Sequence, residues 1–365
     1  MCIRDSAYDQ SFAAEGRQQV RHGLCVMVEL QQYSSGTVKP HERTLDAPKQ
    51  DRFQLLIHTD THFGQIFQLY PDEENIVAHL LAKHTEREPD IDAAIDEQPK
   101  VRHRVWKVTD AETITAIQEA LQNKPLFIAD GHHRYETALN YRNYRLQEYA
   151  GGAGGHSPRY AMMTLVGMSD PGLIVLPTHR VLHGLRDFDV QRLVESLSEH
   201  FLVKTVPTLG QLQALMSKAS VDANRHAYGL YASGTFWFFE LADQRVMVQL
   251  APEHSPAWRS LDVAILHEVV LQKILGIDKA AQAAKTNLNY ERTVSEAVAK
   301  VDRGTHQAAL IMNATKLSQI REVAGRGEVM PQKSTDFYPK LITGLLACQV
   351  DLGERKSPAH VQAPQ

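Results

Sequence analysis

Between residues 66 and 142 the spacing of apolar residues keeps switching period, and this constrains the fold more than any other feature. IFQLY (66–70) reads as a short buried strand. PDEENIVAHLLAKH reads as a helix with Pro71 and acids in its first turn. VRHRVWKV (101–108) predicts a strand, and a helix follows from about Asp110 to Leu121, with Ile114, Ile117 and Leu121 at helical spacing. PLFIA is a further buried strand. From Gly131 the spacing is helical again, bringing Tyr135, Ala138, Leu139 and Arg142 close on one face. A β, α, β, α order of this kind predicts a mixed α/β (α+β) fold.

The chain has 365 residues, more than one core usually fills, so two domains are expected. Residues 17–33 contain a β-rich run closed by the turn SSGT, and 17–180 are assigned to the first domain. GGAGGHSP (151–158) reads as a loop, followed by strands at YAMMTLVGM and LIVLP. Residues 181–350 form a second α/β domain: a helix at VQRLVESLSEHF, strands at HAYGLYA and TFWFFEL, a long amphipathic helix from Leu261 to Leu275, and a strand at ALIM. Residues 351–365 are polar and predict a flexible tail. MCIRDS is unlike the amphipathic sequence after it, so residues 1–16 are set aside as a non-native or remnant segment.

A net charge of −4 supplies no global basic field, which argues against a nucleic-acid partner. No apolar run reaches the roughly 20 residues that span a bilayer, and no basic-then-apolar leader opens the chain, so no membrane association is expected. Cys2, Cys25 and Cys348 are scattered without a CxxC pair, and a reducing cytoplasm is the expected location. There is no GxSxG elbow, no HExxH and no GxxxxGK[ST] loop, so hydrolase, zinc-site and Walker readings find no motif. Oligomeric state is not legible.

The richest chemistry lies in ADGHHRYETAL (129–139), at a strand-to-helix junction. Such a junction exposes the free N–H groups of the helix start, and the helix dipole favours an anion there. Gly131 permits close backbone approach. Arg134 offers a forked pair of donors to a phosphate, and His132 or His133 can donate to it or move a proton. Asp130 can hold a magnesium ion or accept a hydroxyl proton. The alternative is a capping aspartate beside solvated histidines.

Three other stretches carry polar groups. In VKPHERTLDAPKQDR, a short irregular segment, His41 and Arg43 are candidate substrate contacts and Glu42 a candidate general base, although a solvated charged loop has the same composition. In MPQKSTDFYPKL, Lys333, Ser334 and Thr335 suit a phosphate or carboxylate, or form a plain turn. LPTHR ends a strand with His179 and Arg180; His179 is a candidate substrate contact, ranked last.

Taken in order, HGLCVMVELQQY, KPHERTLDAPKQDR, IFQLY, ADGHHRYETALNYR, LPTHRV and GEVMPQKSTDFYPKLITGL resemble the bacterial domain of unknown function 1015, from about Ala7 to about Val350. The resemblance implies a first domain related to the ParB and sulfiredoxin-like fold, in which a helix start with a Gly…Arg motif holds nucleotide phosphates. It also implies similarity to free serine kinases, and it carries the phosphate motif onto Gly131, His132, His133 and Arg134, with Asp130 before it. Family members normally begin with a Pro-Pro-Tyr-Asp-Val-like run. This chain has none before AYDQSF, so the resemblance implies an N-terminally truncated chain lacking the early glutamate of the related kinases.

The leading expectation is a phosphotransferase that uses Mg2+ and ATP or ADP to phosphorylate a small hydroxyl compound, free serine first among them. In that scheme Arg134 neutralises developing charge, Asp130, His132 or His133 positions metal or proton, Glu42 is a candidate base and Lys333 a second anion contact. A nucleotide-binding regulator of ParB type and a phosphate-ester hydrolase are the alternatives.

Overall fold

The computed structural model describes residues 2–356 apart from 15, 43, 45, 97 and 153; the side chains of residues 2–5 and 46–48 lie outside the description. The chain divides into two units, Met1–Ile174 with Phe337–Gln365, and Val175–Asp336. The mixed α/β class read from the sequence holds in both.

Among the described residues the first unit carries β1 (Cys2–Ala14), β2 (Arg17–Glu29), β3 (Val38–Lys39), β4 (Thr61–His62), β5 (Ile66–Tyr70), β6 (Ile91–Ala93), β7 (Val101–Lys107), β8 (Leu126–Asp130) and β9 (Tyr160–Gly167). Its helices are α1 (Asp46–Thr59), α2 (Ile76–Thr85), α3 (Ala111–Leu121) and α4 (His132–Glu148). Eight strands form one sheet in the order β3-β8-β5-β9-β2-β1-β7-β6. Most neighbours are antiparallel, whereas β5 with β9 and β3 with β8 are parallel. The short β4 pairs instead with Cys348–Gln349.

Alternation along the strands divides their side chains between two faces. Leu24, Val26, Ile66, Ile128 and Leu165 share one core with Val77 and Leu81 of α2, Ile114, Ile117 and Leu121 of α3, and Tyr135, Ala138 and Leu139 of α4. Tyr8, Cys25 and Val105 form a separate cluster with Leu341, Leu345 and Leu346 of the C-terminal segment. Burial drives this arrangement, at roughly 1.5–3 kcal/mol for each fully buried large aliphatic side chain.

Several sequence expectations change here. Part of the segment set aside at the N-terminus is a central strand, because Ser6–Phe12 pair with β2 on one side and β7 on the other. Pro71 does not open α2. Residues 71–75 form a turn, and Asp72 accepts from the Val77 N–H at 3.2 Å, so the acid caps the helix from outside it. The irregular stretch after His41 is only half irregular, since α1 takes up its second part. Residues 351–356, the described part of the expected flexible tail, are tied to the chain: the Gly152 N–H donates to the Asp351 carbonyl, that of Ala150 to Glu354 and that of Lys356 to Glu148. Residues 357–365 lie outside the described residues. The expectation ran the second domain through 350, whereas Phe337 onward groups with the first unit.

The second unit holds a six-stranded sheet, all antiparallel, in the order Phe201–Val206, Thr235–Leu241, Ala227–Ala232, Ala308–Ile311, His179–Leu182, Leu288–Glu291. Helices Leu209–Ser220 and Val294–Asp302 supply Leu212, Met216 and Ala297 to a core with Val181, Phe238 and Ile311. The long helix expected at 261–275 is present as one continuous helix over 262–274 whose winding changes along it, from an α turn at Asp262–Ile265 to a π-wound stretch at Leu266–Ile274, where the Leu275 N–H reaches the Val270 carbonyl at 3.0 Å. Apolar spacing alone does not separate i→i+4 from i→i+5 winding.

Candidate functional site

The junction between β8 and α4 is built as the sequence predicts. β8 buries Leu126 to Ala129 and leaves Asp130 half-buried at its end. Gly131 then turns the chain at φ +96°, in the left-handed region that favours glycine, and serves as N-cap. It brings no capping side chain, and no acid lies in the first turn. The capping reading of Asp130 therefore does not apply. The Asp130 carboxylate is instead held by cations: Oδ2 is 2.6 Å from Arg134 Nη2 and Oδ1 is 3.2 Å from Lys340 Nζ.

Arg134 folds back over the helix start. Its Nη1 donates to the Gln65 carbonyl at 2.5 Å, and a Cβ added to Gly131 would stand 2.9 Å from its Nε. The glycine thus serves both the turn and the packing of the guanidinium. Burial pulls the Arg134 pKa down, and the neighbouring Asp130 opposes that shift.

The two histidines separate. His132 is buried, its ring packs edge-on against His41 at 4.7 Å, and its Nε2 accepts the His41 backbone N–H at 3.3 Å. That bond puts the ring proton on Nδ1, and burial first, then the neighbouring His41, holds the pKa well below 6.5. His133 is half-buried. Burial and then Arg52 lower its pKa too, with Lys49 adding to the effect and Glu136 and Asp130 opposing it. Glu136 is fixed by Lys49 at 3.1 Å and by the Thr44 hydroxyl at 2.6 Å. His41 is buried, and desolvation takes its pKa down to about 4. Glu42 is half-buried in the loop after β3, and Arg43 lies outside the described residues.

Lys340 was not singled out by the sequence, although it stands in the FYPKL part of a motif that was. It reaches Asp130 because a fully buried arginine pins its segment. Arg21 Nη1 donates to the Tyr338 carbonyl at 3.2 Å and Nη2 to the Pro339 carbonyl at 2.6 Å; Nη2 also bonds Gln10 Oε1, and the guanidinium lies over the Phe67 ring at 4.6 Å. Gln10 Nε2 in turn donates to the Lys340 carbonyl at 3.1 Å. Burial lowers the Arg21 pKa to about 10, so it stays charged at neutral pH. No spacing in the chain links residues 10, 21 and 340.

The other candidates belong to the second unit. His179 is buried and accepts the Met312 N–H on Nδ1 at 3.2 Å. Arg180 beside it donates to the Lys333 carbonyl at 3.1 Å and to His267 Nε2 at 3.1 Å. Ser334 donates its hydroxyl to the Pro331 carbonyl at 2.5 Å, and its own carbonyl accepts from Thr315 at 2.7 Å. Lys333 is exposed at φ +57°, and Thr335 is half-buried. LPTHR and MPQKST are thus joined to each other by Arg180 within the second unit.

A cavity of 420 Å³ opens beside Arg134, lined also by Arg52, Leu55, Phe63, Thr137 and Leu341. This is within the size range of small-molecule sites. Among the described residues no group of three or more His, Cys, Asp or Glu could hold a metal ion. With each Asp130 oxygen turned to a cation, the junction does not fit a protein-built magnesium site. No helix is long and apolar enough to cross a membrane.

The fold and junction define a mixed α/β protein with a glycine-capped helix start flanked by fixed cations. The chain belongs to the DUF1015 family, described as proteins of unknown function, whose model matches residues 6–264. No curated protein matches it. Similar solved structures include a conserved hypothetical protein from Pyrococcus furiosus (16% identity, TM-score 0.41, covering 87% of this chain and 94% of that one). A free serine kinase in complex with AMP is 12% identical (TM-score 0.43, 90% and 92% covered). A mutant free serine kinase in complex with ADP is 13% identical (TM-score 0.43, 92% and 93% covered).

Proposed function

We propose that the first unit is a nucleotide-dependent phosphotransferase acting on a small hydroxyl compound, with free serine, the acceptor implied by the resemblance to free serine kinases, as its substrate. The observation that carries this reading is the start of α4. Glycine caps it, no acid enters its first turn, and Arg134 and Lys340 flank it on Asp130. Helix N–H groups and fixed guanidinium and ammonium donors are the groups that stabilise phosphoryl oxygens as charge shifts between them.

In this scheme the backbone of Gly131–Arg134 and the Arg134 side chain hold the phosphates of ATP or ADP. The terminal phosphorus–oxygen bond breaks toward the nucleotide while the acceptor oxygen bonds to phosphorus, and the acceptor proton leaves to a base. His133 is our choice of base, because its lowered pKa keeps it neutral and able to accept a proton at pH 7. Glu42 is the second candidate. His132 is a positioning residue, since its Nε2 is already an acceptor for His41. Asp130 orients the two cations; Mg2+ belongs to the reading only as a companion of the nucleotide phosphates, and no step is routed through it. Lys333, Ser334, Thr335 and His179 have no role in this scheme.

The test mixes the protein with terminally labelled ATP or ADP and serine, then other hydroxylated amino acids. Label transfer to serine, lost in Arg134→Ala, is the expected result. Phosphate release without an acceptor points to a hydrolase, and no nucleotide consumption with any acceptor refutes the proposal.

A further inference from the structure

A second cavity of the first unit, 470 Å³ in volume and open to solvent, shares no lining residue with the one beside Arg134. It lies on the face of the large sheet turned away from the helices. Cross-strand pairing puts its wall there: Ser6 stands opposite Cys25 and Lys107, Met27 opposite Met162, and Ile91 opposite Val105, on the same face as Tyr8. Leu346 covers this wall, packing beside Cys25 and Val105 on one side and Met27 and Met162 on the other. The segment that carries Leu346 is fastened just beyond it. Cys348 and Gln349 pair with His62 and Thr61, and His156 Nδ1 donates to the Gln349 carbonyl at 3.0 Å. The cavity is therefore preformed.

Its wall is apolar and its rim is charged. Cys25, Met27, Ile91, Val105, Met162 and Leu346 offer hydrocarbon and sulfur, and burial pushes the Cys25 thiol up to about 12, so it stays uncharged. Water in such a space finds few hydrogen-bond partners, whereas a flexible alkyl chain gains burial against adaptable thioethers. On the rim Asp90 is already matched: Arg87 Nη2 lies 2.5 Å from Oδ2 and Nη1 3.2 Å from Oδ1, and the Lys107 backbone N–H donates to Oδ2 at 2.7 Å. The Lys107 ammonium is exposed and makes no hydrogen bond or ion pair among the described residues. One unmatched positive charge at the mouth of an apolar space is complementary to an amphiphile with a singly charged anionic head. We propose that this cavity binds a medium-chain monocarboxylate, with the alkyl chain against Met27, Met162 and Leu346 and the carboxylate on Lys107. This site goes beyond the phosphotransferase reading and does not depend on it.

Isothermal titration of the full chain with hexanoate, octanoate and decanoate, each below its micelle concentration, tests the proposal. One site per chain is expected, with affinity rising about tenfold for each two carbons added. Decanol is expected to bind about three- to fivefold more weakly than decanoate, a difference that shrinks at high salt, and decyltrimethylammonium more weakly still. Ile91→Trp, which fills the cavity from the short edge strand β6, is expected to weaken decanoate at least about tenfold. Lys107→Gln, at an exposed position outside the core, is expected to bring decanoate down to the affinity of decanol and leave decanol unchanged. Affinity independent of chain length, more than one decanoate per chain, decanol or the cation binding as tightly as decanoate, or Lys107→Gln without effect on decanoate overturns the proposal. Unchanged decanoate binding by a folded Ile91→Trp protein does so as well.

Discussion

Replacing Gly131 by alanine perturbs the backbone and the guanidinium at once, and the two effects can be separated. At φ +96° a non-glycine residue costs about 1–2 kcal/mol. The smaller conformational freedom of the unfolded alanine chain returns about 0.4–1 kcal/mol, leaving a net loss near 1 kcal/mol. That corresponds to a melting point about 2–4 °C lower for a domain of 150–250 residues. The new Cβ would also stand 2.9 Å from Arg134 Nε and 3.0 Å from Nη2, closer than carbon and nitrogen pack, so the guanidinium must leave its place against Asp130. A charged hydrogen bond to phosphate is worth about 1.5–3 kcal/mol, so pyrophosphate affinity is expected to fall about ten- to hundredfold. Gly131→Asn separates the two effects. Asparagine tolerates the left-handed region but carries the same Cβ, so it should recover most of the melting point and none of the affinity. Differential scanning calorimetry and isothermal titration on the three proteins provide the readouts. A Gly131→Ala protein with wild-type melting and wild-type pyrophosphate binding would refute the packing argument.

If His133 is the base, the rate falls on the acid side with an apparent pKa below 6.5, and His133→Asn abolishes that limb while Glu42→Gln keeps it; the reverse outcome in the two pH profiles identifies Glu42 as the base. His41, His62 and His103 are held near pKa 4 and His132 well below 6.5, all by burial, so the unfolded chain binds more protons than the folded one between pH 6.5 and 4. Their stabilisation is therefore complete above about pH 6.5 and lost as pH falls toward 4, at about 1.4 kcal/mol per pH unit for each imidazole; urea midpoints that stay level from pH 7.5 to 5 contradict this. Arg21→Met leaves the Tyr338 and Pro339 carbonyls without their buried donor, at about 1–3 kcal/mol each, and frees Lys340. Both the urea midpoint and pyrophosphate affinity should drop, and retention of full affinity would detach Lys340 from the site.

The sequence by itself determined the local pieces. Apolar period gave β5, β7, β8, α3 and α4, because burial of one face imposes spacing of 2 or 3.6 on the residues that do it. The junction at 130–134 was legible for the same reason: a buried run ending in Asp-Gly followed by helical spacing has few other ways to fold. Period does not report pairing partners, so the sheet order, the central place of β1 and the return of Phe337–Gln365 to the first unit appear only in the tertiary structure. The same holds for charge. Sequence showed a histidine pair and an arginine, but long-range packing turned His132 inward against His41, and the buried Arg21 delivered Lys340 to Asp130 across more than 200 residues of chain. ADGHHR states which donors are present; which of them face a ligand depends on neighbours the motif does not contain.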